Sequence, residues 1–390
     1  MKKFFLSLSA IFLSVSAFAD FTGAGFYRLK NQNSQRYVSV IDNDCAYVDL
    51  VSGSIDSHAL ITIKSFDEVC HDPSTIIYAA QVAGSKYNIA AQGVSIKNMV
   101  QYDLHLGARG KEGDQTIYWL YASKSGATKY LCDPRVASSA TGYVSLGNPI
   151  ANNVSSQKKI SWFILPVTAN SSNYFGVLPT VEVNNGYWAS LYAFFPFSAF
   201  SEGVEFYYPC AVSATGLVEM KKVEGTVPGE MPVIVKCNDK DPARNRLNVG
   251  ASNPGSYKGN LLHGQYFNCY ANDGQYVNRL PYHKETMRVL GKCKDGSLGF
   301  VVDETLDFIP ANSAYIIVEP WYPKELKCVF SHDEYIVGVK DVKVGTATKK
   351  KNEVYSLTGV KLYDDATEQQ IANLPAGMYI IGGKKKVVRK

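Results

Sequence analysis

The chain has 390 residues, 46% of them hydrophobic and 19% charged, and its formal net charge is +5. Lys2, Lys3 and the five basic residues within 384–390 supply the excess, so the remaining residues carry a formal charge of −2 (5 − 2 − 5). Because the basic pI comes from the two chain ends, the sequence predicts no basic surface that would bind nucleic acid. The length predicts two or three domains at about 150 residues each.

The first 19 residues have the pattern of an export signal. Two lysines precede the apolar run Phe4–Ala17, and Ala17-Phe18-Ala19 forms a small-x-small cleavage site before Asp20. The run is shorter than the about 20 residues that a membrane-spanning helix needs. We therefore predict a secreted protein that starts at Asp20 and has no transmembrane segment after signal removal. An uncleaved anchor is the alternative.

The chain carries eight cysteines, an even number that permits disulfides in an oxidising compartment. Their wide spacing and the lack of any C-x-x-C argue against a zinc or redox site. Buried unpaired thiols are an equally open alternative. The pairs that sequence proximity suggests are Cys45–Cys70, Cys210–Cys237 and Cys269–Cys293.

Residues 23–167 contain a loose internal repeat in which a strand, a short polar or glycine turn and a second strand form a hairpin. With 26 tyrosines in the chain, this pattern predicts an all-β fold. The units begin at Tyr27, Tyr78 and Tyr118, and the strand Ile160–Pro166 closes the region. Repetition of this kind predicts a repeat architecture.

Three hairpin units closed by a tryptophan strand resemble a ricin-type β-trefoil, which we assign to residues 20–168; a β-sandwich with tyrosine-rich hairpins is the alternative. In that family an Asp follows the second strand of a repeat and an aromatic residue closes a sugar site. Ser39 and Ala90 stand at two expected Asp positions. In the third repeat Asp133 is displaced by one position, and Tyr143 and Asn148 follow it. The resemblance thus gives Asp133, Tyr143 and Asn148 as candidate ligand-binding residues, with turn chemistry and core packing as the alternative.

A short pattern occurs twice in the centre of the chain, as Thr226–Lys236 and as Phe308–Val318. Pro228 and Pro310 are 82 residues apart, and the copies align without a gap. In each copy an apolar residue and a proline open a turn that an Ile/Val strand follows. The repeat therefore indicates duplicated architecture rather than an activity.

Residues 174–335 predict an antiparallel β-sandwich with about eight strands, a long loop over 238–264 and a strand resuming at Tyr266. Its motifs include Trp188-Ala-Ser-Leu, Leu298-Gly-Phe300 and the two proline turns. They resemble a β-sandwich module of surface and secreted proteins from Gram-negative anaerobes that use type IX secretion. The resemblance implies a scaffold without a known catalytic site.

After a predicted linker over 339–351, residues 350–390 predict a small β domain. The run Leu374-Pro-Ala-Gly-Met-Tyr-Ile-Ile381 and the terminal basic strand resemble the C-terminal sorting domain of type IX secretion. The resemblance implies export to the outer cell surface. The alternative is an edge hairpin whose lysines discourage strand pairing.

The sequence lacks His-Glu-x-x-His, Gly-x-Ser-x-Gly and the phosphate-binding Gly-Lys-Ser/Thr motif, and its six histidines lie apart. We therefore predict no catalytic residue, no metal and no cofactor. A nucleophile–base pair of Cys269 with His263 or His283 is the alternative.

The function that these features predict is that of a secreted or surface-displayed, non-enzymatic protein that binds a carbohydrate or host ligand through its N-terminal domain. One alternative is a structural or adhesion protein with a protein partner at the aromatic stretches Tyr187–Phe197 and Tyr207-Tyr208. A secreted hydrolase and a protease-inhibitor trefoil are the others.

Overall fold

The structure is a computed structural model. It describes residues 20–40, 60–63, 66–92, 94–95, 104–124, 127–133, 145–147, 153–184, 186–250, 257–268, 279–340, 353–356, 360–382 and 384–388. The predicted signal over 1–19 lies outside these residues. The chain divides into two compact units, Met1–Tyr335 and Ile336–Lys390. Both units consist mainly of β-sheet, which confirms the all-β prediction.

The N-terminal part of the first unit is one sheet with short helical turns at α1 (Phe66–Val69), Pro73–Thr75 and α2 (Val154–Lys159). Its strands are β1 (Gly25–Asn31), β2 (Tyr37–Val40), β3 (Leu60–Ile63), β4 (Ile77–Ala83), β5 (Lys86–Ala91), β6 (Val94–Ser95), β7 (Leu104–Glu112), β8 (Gln115–Lys124), β9 (Ala127–Cys132), β10 (Ser145–Gly147) and β11 (Ser161–Pro166).

Six of these strands pair in a closed antiparallel cycle, in the order β1, β4, β5, β7, β8, β11 and back to β1. The pairs β2–β3 and β9–β10 and the short β6 extend outward from the cycle. Alternate side chains point inward, where Leu29, Ile89, Leu120 and Trp162 are almost fully buried. The indole Nε1 of Trp162 donates to the Leu131 carbonyl oxygen at 2.9 Å. The closed cycle therefore has a packed interior.

The three predicted hairpins are present, but they are not equivalent. The first and third, β1–β2 and β8–β9, each join a strand of the cycle to a flanking strand. The second, β4–β5, joins two strands of the cycle. Tyr27, Tyr78 and Tyr118 all lie on strands of the cycle, but the second strand of the hairpin belongs to the cycle only in the unit of Tyr78. The three tyrosines therefore do not mark equivalent units.

The second part of the first unit contains a ten-stranded sheet and a three-stranded sheet. The three-stranded sheet has β12 (Phe175–Gly176), β19 (Arg246–Val249) and β15 (Phe197–Ala199), in that spatial order. The ten-stranded sheet contains β13 (Val181–Val183), β14 (Gly186–Leu191), β16 (Glu205–Val212), β17 (Leu217–Lys222), β18 (Val233–Cys237), β20 (Leu262–Gln265), β21 (Met287–Lys292), β22 (Leu298–Val301), β23 (Ser313–Ile317) and β24 (Glu325–Val329).

The large sheet contains the same four-strand arrangement twice. One copy has the spatial order β14-β18-β16-β17, and the other has β20-β23-β21-β22. In each copy the first strand along the chain pairs with the fourth, and the fourth pairs with the second. Strand β24 lies between the copies, and β14 also packs against β23. The duplication seen in the sequence is thus a duplication of sheet topology.

The two proline turns have matching backbone conformations. Glu230 and Asn312, which are 82 residues apart, are both left-handed, with φ of 63° and 51°. Both turns contact the same short segment of chain, because Glu230 N–H donates to the Ala193 carbonyl and Tyr192 N–H donates to the Asn312 carbonyl. Residues 192–193 therefore connect the two copies of the arrangement.

Three features of this region differ from the sequence-based expectation. Strand β17 pairs with β24 in parallel, so the sheet is not wholly antiparallel. The predicted loop 238–264 contains β19 and most of β20. The strand expected from Tyr266 is β20, which ends at Gln265. The sequence did not predict β19 and β20 because this segment is rich in asparagine, glycine and aspartate, which are uncommon in strands.

A buried arginine joins the closed cycle to the segment that follows it. Arg28 lies on β1 and is fully buried. Its guanidinium donates to Thr75 Oγ1 at 3.0 Å, to Asn173 Oδ1 at 2.9 Å and to the Val69 carbonyl at 2.9 Å. Burial lowers the pKa of Arg28 from 12.5 to about 10. The polar segment 168–173 is thereby fixed by a buried cation.

The second unit is a small four-stranded sheet. Helix α3 (His332–Lys340) spans the boundary between the units, and the rest of the predicted linker lies outside the described residues. No described helix has both the length and the apolar character needed to cross a bilayer. The remaining elements are β25 (Val354–Ser356), β26 (Lys361–Tyr363), α4 (Glu368–Ala372), β27 (Gly377–Ile381) and β28 (Lys384–Val388).

Candidate functional site

Asp133, the acidic candidate from the sequence, lies inside the N-terminal region. Its carboxylate is fully buried and accepts from Arg36 Nη2 at 3.0 Å and from Ser34 Oγ at 2.5 Å. Its backbone N–H donates to the Lys159 carbonyl. Because both carboxylate oxygens are bonded within the protein, we assign Asp133 a structural role instead of the ligand contact expected from the resemblance.

Tyr143 and Asn148, the other two candidates, lie outside the described residues. Ser39, at one of the expected Asp positions, is buried, and its hydroxyl bonds that of Ser74. The described residues therefore do not assemble the family's sugar site around Asp133. The sequence did not reveal this outcome because Arg36, the partner of Asp133, lies 97 residues away along the chain.

An aromatic cluster covers the outer face of β7, β8 and β9, and we call it the aromatic platform. It consists of His105, Trp119, Tyr121 and Tyr130, all partly exposed, with the exposed Arg109 beside them. Cross-strand pairing creates the platform, since His105 lies opposite Tyr121 and Tyr121 lies opposite Tyr130. The intervening Leu106 and Leu120 point into the core.

The rings of the platform contact one another closely. His105 stacks on Tyr121 with ring centroids 5.2 Å apart, and Tyr130 meets Trp119 edge to face at 5.1 Å. The Arg109 guanidinium lies 4.0 Å from the centre of the Trp119 ring. Gly107 faces Trp119 across the strands and leaves that side of the indole without a cross-strand side chain. The result is a partly exposed aromatic surface with a cation at its side.

Polar groups on the platform are available to a ligand. The Tyr121 and Tyr130 hydroxyls have no hydrogen-bond partner among the described residues. His105 Nδ1 lies 3.3 Å from Ser85 Oγ, while Trp119 Nε1 donates to Ser161 Oγ at 3.1 Å and fixes the indole. Aromatic faces beside unused hydroxyls suit a ligand with both apolar C–H and polar O–H groups.

A cleft of about 330 Å³ lies where the closed cycle meets the large sheet, lined in part by His71, Asp72, Ser190 and Asn312. Its polar groups are largely occupied. Asp72 accepts from Ser74, Ser190 Oγ accepts from the Ala314 N–H, and the Asn312 side chain bonds Gln92. We therefore regard this cleft as a packed junction between two parts of the first unit.

Cys70 and His71 are neighbours beside this cleft, with Sγ and Nδ1 3.7 Å apart. Burial raises the pKa of the Cys70 thiol and lowers that of the His71 imidazole. Both shifts favour the neutral forms, whereas a nucleophilic cysteine needs a thiolate. The pair therefore lacks the electrostatics of an activated nucleophile.

Other sequence-based candidates can be placed as well. Cys210 and Cys237 are both free thiols and form no disulfide with each other. The other two suggested pairs, and the Cys269 nucleophile, each involve a cysteine outside the described residues. No group of three or more possible metal ligands occurs in the part of the chain that the structure describes.

The aromatic stretches considered for a protein partner are mostly internal. Trp188, Phe195, Phe197 and Tyr208 are buried in the core of the large sheet. Their rings pack edge to face, as in the Phe195–Phe197 and Phe197–Phe206 contacts. These residues stabilise the fold and do not present a surface.

Comparison of the chain with family models, with curated proteins and with solved structures finds no match. The candidate site is therefore defined by its own geometry.

Proposed function

We propose that this protein is a secreted or surface-displayed, non-enzymatic binding protein that recognises carbohydrate, or a host ligand carrying it, through the aromatic platform. The single observation that carries the proposal is the partly exposed cluster of Trp119, Tyr121 and Tyr130. A pyranose ring has an apolar face that packs on aromatic rings and hydroxyls that bond polar neighbours. Both kinds of group lie together on this face of the N-terminal region.

The proposed fold of residues 20–168 is a β-trefoil. Its support is the closed cycle of six antiparallel strands, with strand pairs projecting after β1 and β8. For residues 174–335 we propose a β-sandwich, supported by the packing of β14 against β23, two strands of one sheet. In this proposal the platform lies on the outside of the trefoil.

Export to the outer surface is part of the proposal. Its support is the signal pattern over 1–19 and the likeness of residues 350–390 to a type IX sorting domain. The test is to locate the protein in cells that express it with and without residues 350–390. Surface display that requires this segment is the expected result, and unchanged display without it would remove the sorting role.

Binding is tested with the purified full-length mature protein on a printed glycan array. Recognition of at least one glycan class is expected. Tyr121→Ala and Tyr130→Ala should each weaken that binding by about 1 kcal/mol, because each removes a stacking surface. Phe200→Ala is the matched control. Phe200 is 48% exposed and directly follows β15, which belongs to a different sheet from the platform.

Folding of each variant is checked by circular dichroism and thermal unfolding. A folded protein that binds no glycan on the array would contradict the proposal. So would binding that both tyrosine variants retain at full strength, because the platform would then have no part in recognition.

A further inference from the structure

A second surface with the same chemistry lies on the large sheet, and we call it the Trp321 groove. Trp321 is 71% exposed and stands in the loop between β23 and β24. Its neighbour Tyr322 lines a groove of about 500 Å³ together with Leu261 and Ile317, and Trp321 itself stands outside the lining. A tryptophan so exposed is unusual for a residue that normally buries most of its area.

The loop that carries Trp321 is held rigidly by a buried arginine. Arg288 is 2% exposed, and its Nε donates to the Pro323 carbonyl at 3.1 Å while Nη2 donates to the Tyr322 carbonyl at 3.3 Å. Within the loop, the Tyr322 N–H donates to the Glu319 carbonyl at 3.0 Å. The indole is therefore presented on a fixed support, which lowers the entropy lost on binding.

The apolar wall of the groove comes from strand pairing. Leu261 immediately precedes β20, and Ile317 ends β23, the strand that β20 pairs with. These side chains are 38% and 51% exposed. Tyr322 adds an aromatic ring whose centroid is 6.5 Å from that of Trp321. Leu261, Ile317 and Tyr322 therefore give the groove an apolar lining.

Polar side chains also line the groove, and two of them, His263 and Glu319, are exposed. The side chains of His263, Thr286 and Glu319 line the groove. None of the three has a hydrogen-bond partner among the described residues. A purely apolar partner would remove water from these groups without replacing its hydrogen bonds, at a cost of about 1–3 kcal/mol for each group.

From these observations we propose that the Trp321 groove is a carbohydrate-binding site. A sugar ring packs on the Tyr322 ring and the aliphatic wall, and the next sugar of a longer glycan reaches the Trp321 indole beside them. Its hydroxyls donate to the Glu319 carboxylate and bond the Thr286 hydroxyl and the His263 imidazole. This site is separate from the aromatic platform and does not depend on the function proposed for that platform.

Tryptophan fluorescence distinguishes the two sites, because only four tryptophans are present. Trp162 and Trp188 are buried, so Trp119 and Trp321 are the indoles that a ligand can reach. In a Trp119→Phe variant, Trp321 reports on the groove. In a Trp321→Phe variant, Trp119 reports on the platform.

The full mature protein is titrated with four named probes: cellohexaose, chitohexaose, maltohexaose and a high-mannose oligosaccharide. We expect at least one probe to change the fluorescence of Trp119→Phe in a saturable way. Glu319→Gln and Trp321→Ala should lower the affinity for that probe by about fivefold to tenfold, the latter measured by calorimetry. Phe200→Ala, which changes an exposed aromatic residue elsewhere, should leave the affinity unchanged.

No saturable change with any of the four probes in a folded Trp119→Phe protein would overturn the proposal. Binding that survives both Glu319→Gln and Trp321→Ala would also overturn it. A response confined to Trp321→Phe would place recognition on the platform alone and reject the groove. A response confined to Trp119→Phe would support the groove and count against the platform.

Discussion

The side-chain amides of Gln92 and Asn312 hydrogen bond each other reciprocally, although the residues are 220 positions apart. Gln92 Nε2 donates to Asn312 Oδ1 at 2.9 Å, and Asn312 Nδ2 donates to Gln92 Oε1 at 3.1 Å. Each residue has a φ of 51°, a conformation that few side chains other than asparagine adopt readily. The pair joins the closed cycle to the second proline turn.

Replacement of Asn312 should separate the contribution of its side-chain hydrogen bonds to stability from that of its backbone conformation. Asn312→Ala loses the amide bonds to Gln92 and to the Tyr192 carbonyl and keeps an unfavourable φ, so we expect a loss of about 2–4 kcal/mol in the free energy of unfolding. Asn312→Gly loses the same bonds but relieves the backbone, and should cost about 1 kcal/mol less. Urea denaturation measures both values. Equal losses would show that backbone conformation contributes nothing here.

Glu230 occupies the equivalent position in the first proline turn, and its φ is 63°. Its side chain makes no hydrogen bond with a described residue, and only its backbone N–H is bonded, to Ala193. Glu230→Gly should therefore stabilise the protein by about 0.5–1 kcal/mol, because glycine adopts this conformation without steric cost. A lower unfolding midpoint in urea would contradict the prediction.

The buried pair of Arg36 and Asp133 allows a test of the structural role. Asp133→Ala removes the buried carboxylate that pairs with the Arg36 guanidinium at 3.0 Å, and we expect a loss of about 3–5 kcal/mol in unfolding free energy. The double variant Arg36→Met with Asp133→Leu should be less destabilised than Asp133→Ala, because no unpaired charge remains. A double variant at least as unstable as the single one would show that the charge pair is not the main contribution.

The stability of the large sheet should depend on the ionisation of Glu205. Its carboxylate accepts hydrogen bonds from Lys222, Lys236 and Tyr207, which lower the pKa of Glu205 from 4.5 to about 2. The bond from Lys222 makes the largest contribution. A depressed folded pKa means that the folded state favours the charged form. The stabilisation is complete above about pH 4.5 and is lost as the pH falls towards about 2.

Solvent screening limits this contribution to about 1 kcal/mol, since the lysines are exposed. The measurement is the unfolding free energy from pH 6 to pH 2 for the wild type and for Glu205→Gln. The difference between the two proteins should shrink as the pH falls below about 4.5. A difference that is constant over the whole range would contradict the assigned pKa.

Much of the fold follows from local pattern. The strand–turn pattern predicts an all-β chain, and the two proline turns predict the duplicated topology because proline fixes the turn and β-branched residues fix the strand that follows. Local pattern did not show which strands of the N-terminal hairpins belong to the closed cycle. Whether a hairpin such as β4–β5 belongs to the closed cycle depends on pairing with strands far along the chain.

The candidate site was less predictable. Asp133 has the residue type of a sugar ligand, and only its distant partner Arg36 reveals a structural role. The local sequence of Trp119 has nothing that separates it from the buried Trp162, since both stand within apolar strands. Exposure depends on which face of a strand meets the core, and tertiary packing decides this. The sequence analysis did not indicate the aromatic platform, because the rings of His105, Tyr121 and Tyr130 meet only through pairing between strands.

The two copies of the four-strand arrangement differ in which side chains they expose to solvent. Ile317 corresponds to Val235 at the shared spacing of 82 residues, yet Val235 is fully buried whereas Ile317 is half exposed. The first copy buries this position in its core, and the second copy exposes it to solvent. Two copies with the same strand topology therefore present different surfaces to solvent at this position.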